Sequence, residues 1–187
     1  MKKVLLTAFD PFGGSDTNSA METMQMVESA EVILYKQLIP TSFGISSEVL
    51  REAIRKYEPD TVICLGQAEG RKWISLERVA INVMDARIPD NSGYQPQDVT
   101  IRPEGENAYF THIDIRKLLK LLEEENIPVR ISDTAGTFVC NYLMYQLLYI
   151  IEKEKGGFRG GFIHLPVEKD MPLETMARAV KIIIENA

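Results

Sequence analysis

Two kinds of hydrophobic pattern alternate along the chain. Short apolar runs bounded by polar or turn-forming residues predict buried β-strands. Longer stretches that repeat apolar residues at helical spacing predict amphipathic helices. By these criteria the strands are Val4–Phe9, Glu31–Ile39, Thr61–Leu65, Ile74–Ile81, Val129–Ile131 and Gly161–Leu165. The helices run from Asn18 or Ser19 to Val27, over Ile45–Tyr57 and Ile113–Glu125, from Cys140 to Ile151, and over Leu173–Ile184.

Strands that alternate with long helices predict βαβ units and an α/β fold. We expect one domain over residues 1–187, with a mainly parallel sheet covered on both faces. Ligands of such sheets bind beyond the carboxyl ends of the strands. The loops that follow strands and carry turn-forming or reactive residues are Asp10–Gly14, Gly66–Arg71, Asp133–Cys140 and His164–Glu168. We therefore expect the functional site where these loops meet.

One segment, Asn82–Phe110, lacks either periodicity and contains several prolines and glycines. A loop of this length in a compact domain is commonly functional or part of an interface. A mobile surface excursion is the alternative for its outer part.

The composition is that of an ordinary globular protein, with 45% hydrophobic and 26% charged residues. A net charge of −6 argues against nucleic-acid binding, which needs a basic face for phosphates. The chain has two cysteines, Cys64 and Cys140, which suggest no disulfide framework and suit a reducing cytoplasm. We see neither a signal peptide nor an apolar run long enough to span a membrane.

Cys140 stands where a short strand and a polar turn lead into a long helix. Unpaired N–H groups and the positive end of a helix dipole would lower the pKa of a thiol there and favour the nucleophilic thiolate. The alternative is a small buried cysteine that packs the helix onto the sheet, since free cysteine is often buried. Its position after a strand end favours the catalytic interpretation.

A cysteine nucleophile needs a base, and the base needs an orienting partner. His164 ends a predicted strand, whereas His112 lies near a helix start and is expected at the surface or in a cap. Glu77 is a lone carboxylate in an apolar strand, where it must be paired, and Asp90 is the rival acid.

Phe9 and Phe12 flank the turn after the first strand. Aromatic side chains beside a crevice suit a small, partly apolar ligand, although packing under the loop is an equal alternative. The sequence contains no phosphate-binding loop, dinucleotide fingerprint, HExxH or EF-hand pattern, so we expect no metal, nucleotide or other cofactor.

Several motifs together resemble pyroglutamyl peptidase type I, also called pyrrolidone-carboxylate peptidase, a family of cysteine peptidases. The resemblance covers nearly the whole chain and rests on segments 9–14, 66–71, 77–82, 85–91, 135–141 and 162–166. It implies a three-layer α/β/α sandwich, a homotetramer and a cytoplasmic exopeptidase. Its substrate would be a peptide with an N-terminal pyroglutamyl residue.

The resemblance also implies roles for individual residues. The catalytic residues would be Cys140, His164 and Glu77, and Arg87 with the N–H of Cys140 would stabilise the oxyanion. The pyroglutamyl pocket would be lined by Phe9, Phe12, Asn18, Gln67, Ile88, Phe138 and Val139.

The chain departs from the family pattern at a few positions. Ala8 and Glu69 replace common glycines, and Thr111–Asp114 differs from the usual sequence there. Glu69 leaves the backbone path beside Gln67 open. A non-catalytic binding protein on the same fold and a thiol amidase of other specificity are the rival functions.

Overall fold

Strands and helices alternate over most of the chain in the computed structural model, which describes residues 1–187. The strands are β1 (Lys3–Phe9), β2 (Ile33–Ile39), β3 (Thr61–Gln67), β4 (Ile74–Glu77), β5 (Val79–Ile81), β6 (Ala108–Phe110), β7 (Val129–Ser132) and β8 (Arg159–Leu165). The helices are α1 (Ser19–Met26), α2 (Ile45–Tyr57), α3 (Ile115–Glu124), α4 (Val139–Lys153) and α5 (Leu173–Asn186). None of these helices is both long enough and apolar enough to cross a membrane.

The central sheet has six strands in the order β2-β1-β3-β8-β4-β7. The predicted mainly parallel, mixed sheet is confirmed, because only the β4–β8 pair is antiparallel. The carboxyl ends of β1, β3 and β8 therefore share one edge of the sheet, whereas β7 runs in the opposite direction. The loop after β7 nevertheless reaches the same cavity as the loops after β1, β3 and β8, so the four loops meet as expected. Hydrophobic periodicity carries no information about strand direction, so the sequence could not distinguish these cases.

Helices cover both faces of the sheet, which confirms the three-layer sandwich. The core on one face joins residues of α1, α3 and α5 to the sheet, and the core on the other joins residues of α2 and α4. Successive side chains of a strand point to opposite faces. Leu65 and Ile163 accordingly belong to the first core, whereas Cys64 and Phe162 belong to the second. By the same alternation His164 lies on the face that carries α4.

The predicted strand Ile74–Ile81 is wrong as a single element. It divides at Arg78 into β4, in the central sheet, and β5, which pairs with β6 in a separate two-stranded sheet. Arg78 makes the transition through its main chain, donating its N–H to Ser132 O and accepting from the N–H of Thr111. The apolar pattern continues across this change of partner and so conceals it.

The irregular segment between β5 and β6 is held to the domain by hydrogen bonds. Asn82 and Arg102 bond reciprocally, through the Asn82 side chain and the Arg102 main chain. The Tyr145 hydroxyl of α4 donates to Glu106 O at 2.7 Å. Ile88 and Tyr94 nevertheless stay exposed in this segment, and Phe110 at the end of β6 is 65% exposed.

Candidate active site

Cys140 is the second residue of α4, whose capping residue, Phe138, makes no side-chain cap hydrogen bond. The first N–H groups of the helix consequently have no partner within it. The thiol packs against β3 at Gly66, which has no side chain. A Cβ added to Gly66 would lie only 3.0 Å from Sγ of Cys140. Gly66 pairs with His164 across β3 and β8, so the thiol and the imidazole belong to neighbouring parts of one surface.

His164 and Glu77 form a buried pair. Nδ1 of His164 lies 2.7 Å from Oε1 of Glu77, and the two residues are 4% and 0% exposed. A carboxylate can only accept, so Nδ1 carries the hydrogen and Nε2 is left to act on other groups. No hydrogen bond joins His164 to Cys140, a contact that in apo enzymes is often long and tightens when substrate binds.

Arg71 adds a cation to this pair, although no role for it was predicted from the sequence. Its Nη1 lies 2.6 Å from Oε1 of Glu77, and its Nη2 donates to Thr134 O at 3.0 Å. The signal available in the sequence was an arginine at the end of the Gly66–Arg71 loop, shortly before a strand with an unpaired buried acid. A glutamate buried in an apolar strand needs a cation, and Arg71 is a nearby one.

The environment of the thiol contradicts the expected lowering of its pKa. Burial is the main cause that raises the pKa of Cys140 to about 12; the charge of Glu77 acts in the same direction and Arg71 opposes it. The residue keeps part of its surface open to the cavity, but desolvation outweighs the helix N-terminus. Burial thus favours the neutral form of the thiol, the form from which His164 would accept a proton as a base.

A cavity of about 1010 Å³ opens over Cys140 and His164. Arg71 also lines it, whereas Glu77 lies behind His164. The residues of the predicted pocket and oxyanion site that line this cavity are Phe12, Gln67, Arg87, Ile88 and Phe138. The other predicted pocket residues, Phe9, Asn18 and Val139, are buried and lie outside its wall.

Each of these three buried residues has a structural task. Phe9 packs near the ring of Phe162, with ring centroids 6.4 Å apart. Asn18 caps α1, and its Oδ1 accepts from the N–H groups of Ala20 and Met21. Val139 belongs to the core on the α4 face.

The cavity wall combines an aromatic side with polar groups. Phe12 and Phe138 form a tilted pair with ring centroids 6.0 Å apart. Gln67 is fixed by its Oε1, which accepts from the N–H of Ser19 at 2.8 Å. Ile88 is 43% exposed beside them. The wall can therefore hold a small ring with an apolar body and a few polar atoms.

Arg87 is exposed on the cavity wall and belongs to no ion pair. Its segment is held beside the start of α4. The N–H of Asp85 donates to Thr137 O at 2.9 Å, and Oγ1 of Thr137 donates to Asp85 O at 2.7 Å. An unpaired guanidinium beside free helix N–H groups is an arrangement that can bind negative charge.

The rival residues have other partners. Asp90 is buried outside the cavity, and its carboxylate accepts from the N–H groups of Phe43, Ser92 and Tyr94. Asp90 thereby closes a turn and leaves no oxygen directed at His164. His112 lies near the surface with Nε2 2.7 Å from Oε1 of Glu152.

Glu69 does not distort the loop beside Gln67. Gly70 takes the left-handed conformation, with φ +87°, and Arg71 N–H donates to Ala68 O to close the turn. The Glu69 side chain extends to the cavity rim, where Oε1 lies 3.5 Å from Nζ of Lys169.

Comparison with known proteins gives a consistent result. The family model described as pyroglutamyl peptidase matches residues 2–187. The chain belongs to the pyroglutamyl peptidase family. Pyrrolidone-carboxylate peptidase of Bacillus subtilis is 46% identical, with 100% of this chain and 92% of the relative covered. That of Enterococcus faecalis is 48% identical, with 99% and 92% covered.

Solved structures of the family share the fold. Pyroglutamyl peptidase I of Bacillus amyloliquefaciens superposes with a TM-score of 0.95 at 43% identity, covering 100% of this chain and 97% of that one. Pyrrolidone carboxyl peptidase of Thermococcus litoralis also has a TM-score of 0.95, at 33% identity, with 100% and 93% covered.

Proposed function

We propose that the chain is a cysteine exopeptidase that hydrolyses the amide bond after an N-terminal pyroglutamyl residue of a peptide. The observation that carries the proposal is that His164, paired with the buried Glu77, lines the same cavity as Cys140 in a member of this family. An exposed thiol without a paired histidine would not support covalent catalysis.

The reaction begins with proton transfer from the neutral thiol. His164 accepts the proton of Cys140 at Nε2 as the sulfur attacks the pyroglutamyl carbonyl carbon, and Glu77 accepts a hydrogen bond from the imidazolium at Nδ1. The carbonyl oxygen becomes an oxyanion, which the N–H of Cys140 and the guanidinium of Arg87 stabilise. The C–N bond then breaks while His164 gives its proton to the leaving amine.

The second half of the reaction releases the acid. Cys140 now carries the pyroglutamyl group as a thioester, and the shortened peptide has departed. His164 removes a proton from a water molecule, which attacks the thioester carbon. The C–S bond breaks, the thiol regains its proton, and free pyroglutamate leaves.

The mixed apolar and polar wall of the cavity supports a neutral ring as the N-terminal residue of the substrate. Pyroglutamate is a lactam with one N–H and one C=O on a hydrocarbon ring. Phe12, Phe138 and Ile88 can contact the hydrocarbon part, while polar groups near Gln67 meet the lactam. A glutamyl substrate would bring an ammonium and a carboxylate into the cavity. A prolyl substrate would bring a charged amine and would lack the lactam oxygen. Burying any of these charged groups without a partner is costly.

A panel of fluorogenic amides tests this function. The pyroglutamyl amide should be cleaved with kcat/KM on the order of 10⁴-fold above the prolyl and glutamyl amides, because a site built for hydrogen bonds rejects analogues that lack them. Equal rates on the three amides would indicate a thiol amidase of broader specificity. No cleavage of any amide by the folded protein would indicate a binding protein.

The quaternary structure and location stay predictions. We expect a homotetramer, and the exposed apolar side chains of the segment before α3, Phe110 among them, are compatible with subunit contacts. We expect a cytoplasmic location because both cysteines are free. Sedimentation equilibrium should give a mass of four chains of 21.2 kDa, and a monomer would contradict the assembly.

A further inference from the structure

Arg71 reaches the catalytic acid from the cavity side. Its side chain is 26% exposed and lines the cavity, and Glu77, its ion-pair partner, has a fully buried side chain. Nη1 contacts Oε1 of Glu77 at 2.6 Å and Oγ of Ser132 at 3.5 Å, and Nη2 donates to Thr134 O. The guanidinium is thus fixed at both terminal nitrogens.

The Glu77 carboxylate depends on these contacts through a single oxygen. Oε1 accepts from both Arg71 and His164, whereas Oε2 is buried without a hydrogen-bond partner. A buried carboxylate that loses a charged partner is strongly destabilised in its ionised form. His164 can supply a compensating charge only when it is protonated, but Arg71 is positively charged at every stage of the reaction.

We propose that Arg71 is a positioning residue, which holds the Glu77 carboxylate beside a permanent positive charge and directed at His164 while the imidazole exchanges its proton. The inference rests on the proposed function and deepens it. Arg71 touches neither the scissile bond nor the thiol; it acts through Glu77 and through its charge. That charge also opposes burial in setting the pKa of Cys140.

A purely structural role for Arg71 is the alternative to exclude, since it also anchors the start of the loop between β7 and α4. Arg78 provides a matched control. It forms an ion pair with the same loop, Nε lying 2.5 Å from Oδ1 of Asp133, and it neither lines the cavity nor contacts Glu77. Loss of loop anchoring alone would affect both arginine variants.

The first test measures steady-state kinetics of R71M, R71K and R78M on the pyroglutamyl amide. R71M should lower kcat roughly 100-fold with little change in KM, a loss in the range of acid–base catalysis. R71K should keep part of that activity, because an ammonium restores the charge but not the two-pronged contact. R78M should stay within about 2-fold of wild type. Equal losses in R71M and R78M, or a loss in KM alone, would overturn the proposal.

A double-mutant cycle asks whether Arg71 acts through Glu77. In an E77Q background the R71M change should cost less than about 3-fold in kcat, because the carboxylate that Arg71 supports is gone. Independent, multiplying losses would contradict the assigned route. If R71M does not fold, R71K replaces it in the same cycle. The loss of kcat in R71K is expected to be smaller, but it too should nearly disappear in the E77Q background.

The second test needs no substrate and so separates this inference from the proposed function. The alkylation rate of Cys140 by iodoacetamide is followed against pH, resolved from Cys64 by peptide mass spectrometry. The charged and titratable groups that act on the pKa of the thiol are Glu77 of β4, Arg71 and Cys64 of β3. His164 of β8 and Arg87 line the same cavity. R71M should shift the profile to higher pH, and R78M should not. An unshifted profile in R71M would refute the electrostatic role even if the amide panel succeeds.

Discussion

At the scale of single residues, Gly66 leaves the room that the thiol of Cys140 occupies. A Cβ there would lie 3.0 Å from Sγ of Cys140 and 2.9 Å from two ring carbons of Phe162. The backbone of β3 can therefore approach α4 closely enough to enclose the thiol only if position 66 has no side chain. This closeness contributes to the desolvation that raises the pKa of Cys140.

Gly66→Ala tests this contact. The added methyl group should displace the thiol or the Phe162 ring, lower kcat at least about 10-fold, and lower the free energy of unfolding by about 1–3 kcal/mol. Gly160→Ala is the matched control. Its Cβ would lie 3.0 Å from the side chain of Leu147, which belongs to α4 as Cys140 does, and would not reach the thiol. Gly160→Ala should lower the free energy of unfolding by a similar amount but should leave kcat nearly unchanged. Equal kcat in the two variants would contradict a specific role for Gly66.

The same scale shows how far the sequence predicts the site. Cys140, His164 and Glu77 could be chosen because each is a reactive or isolated polar residue beside an apolar element, and the structure brings them together. Asn18 and Phe9 stand in turn-rich sequence next to the site but face inward. A linear pattern does not specify which way a side chain turns after a strand ends. The sequence does not single out Arg71, because an arginine in a loop is ordinarily solvated.

At the scale of secondary-structure elements, α4 is tied to the two-stranded sheet by the residue that follows the nucleophile. Asn141 is 1% exposed; its Oδ1 accepts from the N–H of Ile81, and its Nδ2 donates to Ile81 O and Val83 O. These bonds satisfy main-chain groups at the end of β5. They also fix the rotation of the helix start and so the direction of the thiol.

Asn141→Leu should remove all three hydrogen bonds while conserving approximate size. These main-chain groups are partly buried. A fully buried group left without a partner costs about 1–3 kcal/mol, so the loss of all three bonds should lower the free energy of unfolding by at least about 2 kcal/mol. Urea denaturation measures this, with Asn82→Leu as a control that loses an anchor farther from α4. A loss in Asn141→Leu no larger than in Asn82→Leu would show that the helix start does not depend on this anchor.

The elements themselves were largely predictable, and their arrangement was less so. Helix α2 follows its apolar periodicity to the residue, and α3 begins two residues later than expected because Asp114 caps it, accepting from Lys117 N–H. Strand direction and the division at Arg78 depend on which strands become neighbours. Such tertiary choices leave no mark in local periodicity.

At the scale of the whole molecule, the buried thiol of Cys64 makes stability depend on alkaline pH. Burial raises the pKa of this thiol from 9.0 to about 12. In the unfolded chain the thiol ionises near its ordinary value, so above that pH the unfolded state binds fewer protons than the folded state. The free energy of unfolding therefore falls as pH rises through this window.

Comparison with Cys64→Val isolates this contribution from the lysines and tyrosines that titrate in the same range. Between about pH 9 and pH 11 the free energy of unfolding of the wild-type protein should fall faster than that of the variant, by up to about 1.4 kcal/mol per pH unit. Chemical denaturation at a series of pH values measures the two slopes, and the constant packing effect of valine cancels. Identical slopes would mean that Cys64 does not titrate differently in the folded and unfolded states.

The central claim, that the Cys140 thiol cleaves pyroglutamyl amides with His164 and Glu77, is tested most directly by single-turnover release of pyroglutamate. Each of three proteins (wild type, Cys140→Ala and Cys64→Ala) is mixed separately, in excess, with a pyroglutamyl amide. The reaction is quenched with acid, and mass spectrometry detects any acyl group on the protein. We expect amine release and a transient thioester on Cys140 in wild type and Cys64→Ala, and neither in Cys140→Ala. Release of pyroglutamate by folded Cys140→Ala at a rate near that of wild type would contradict the account.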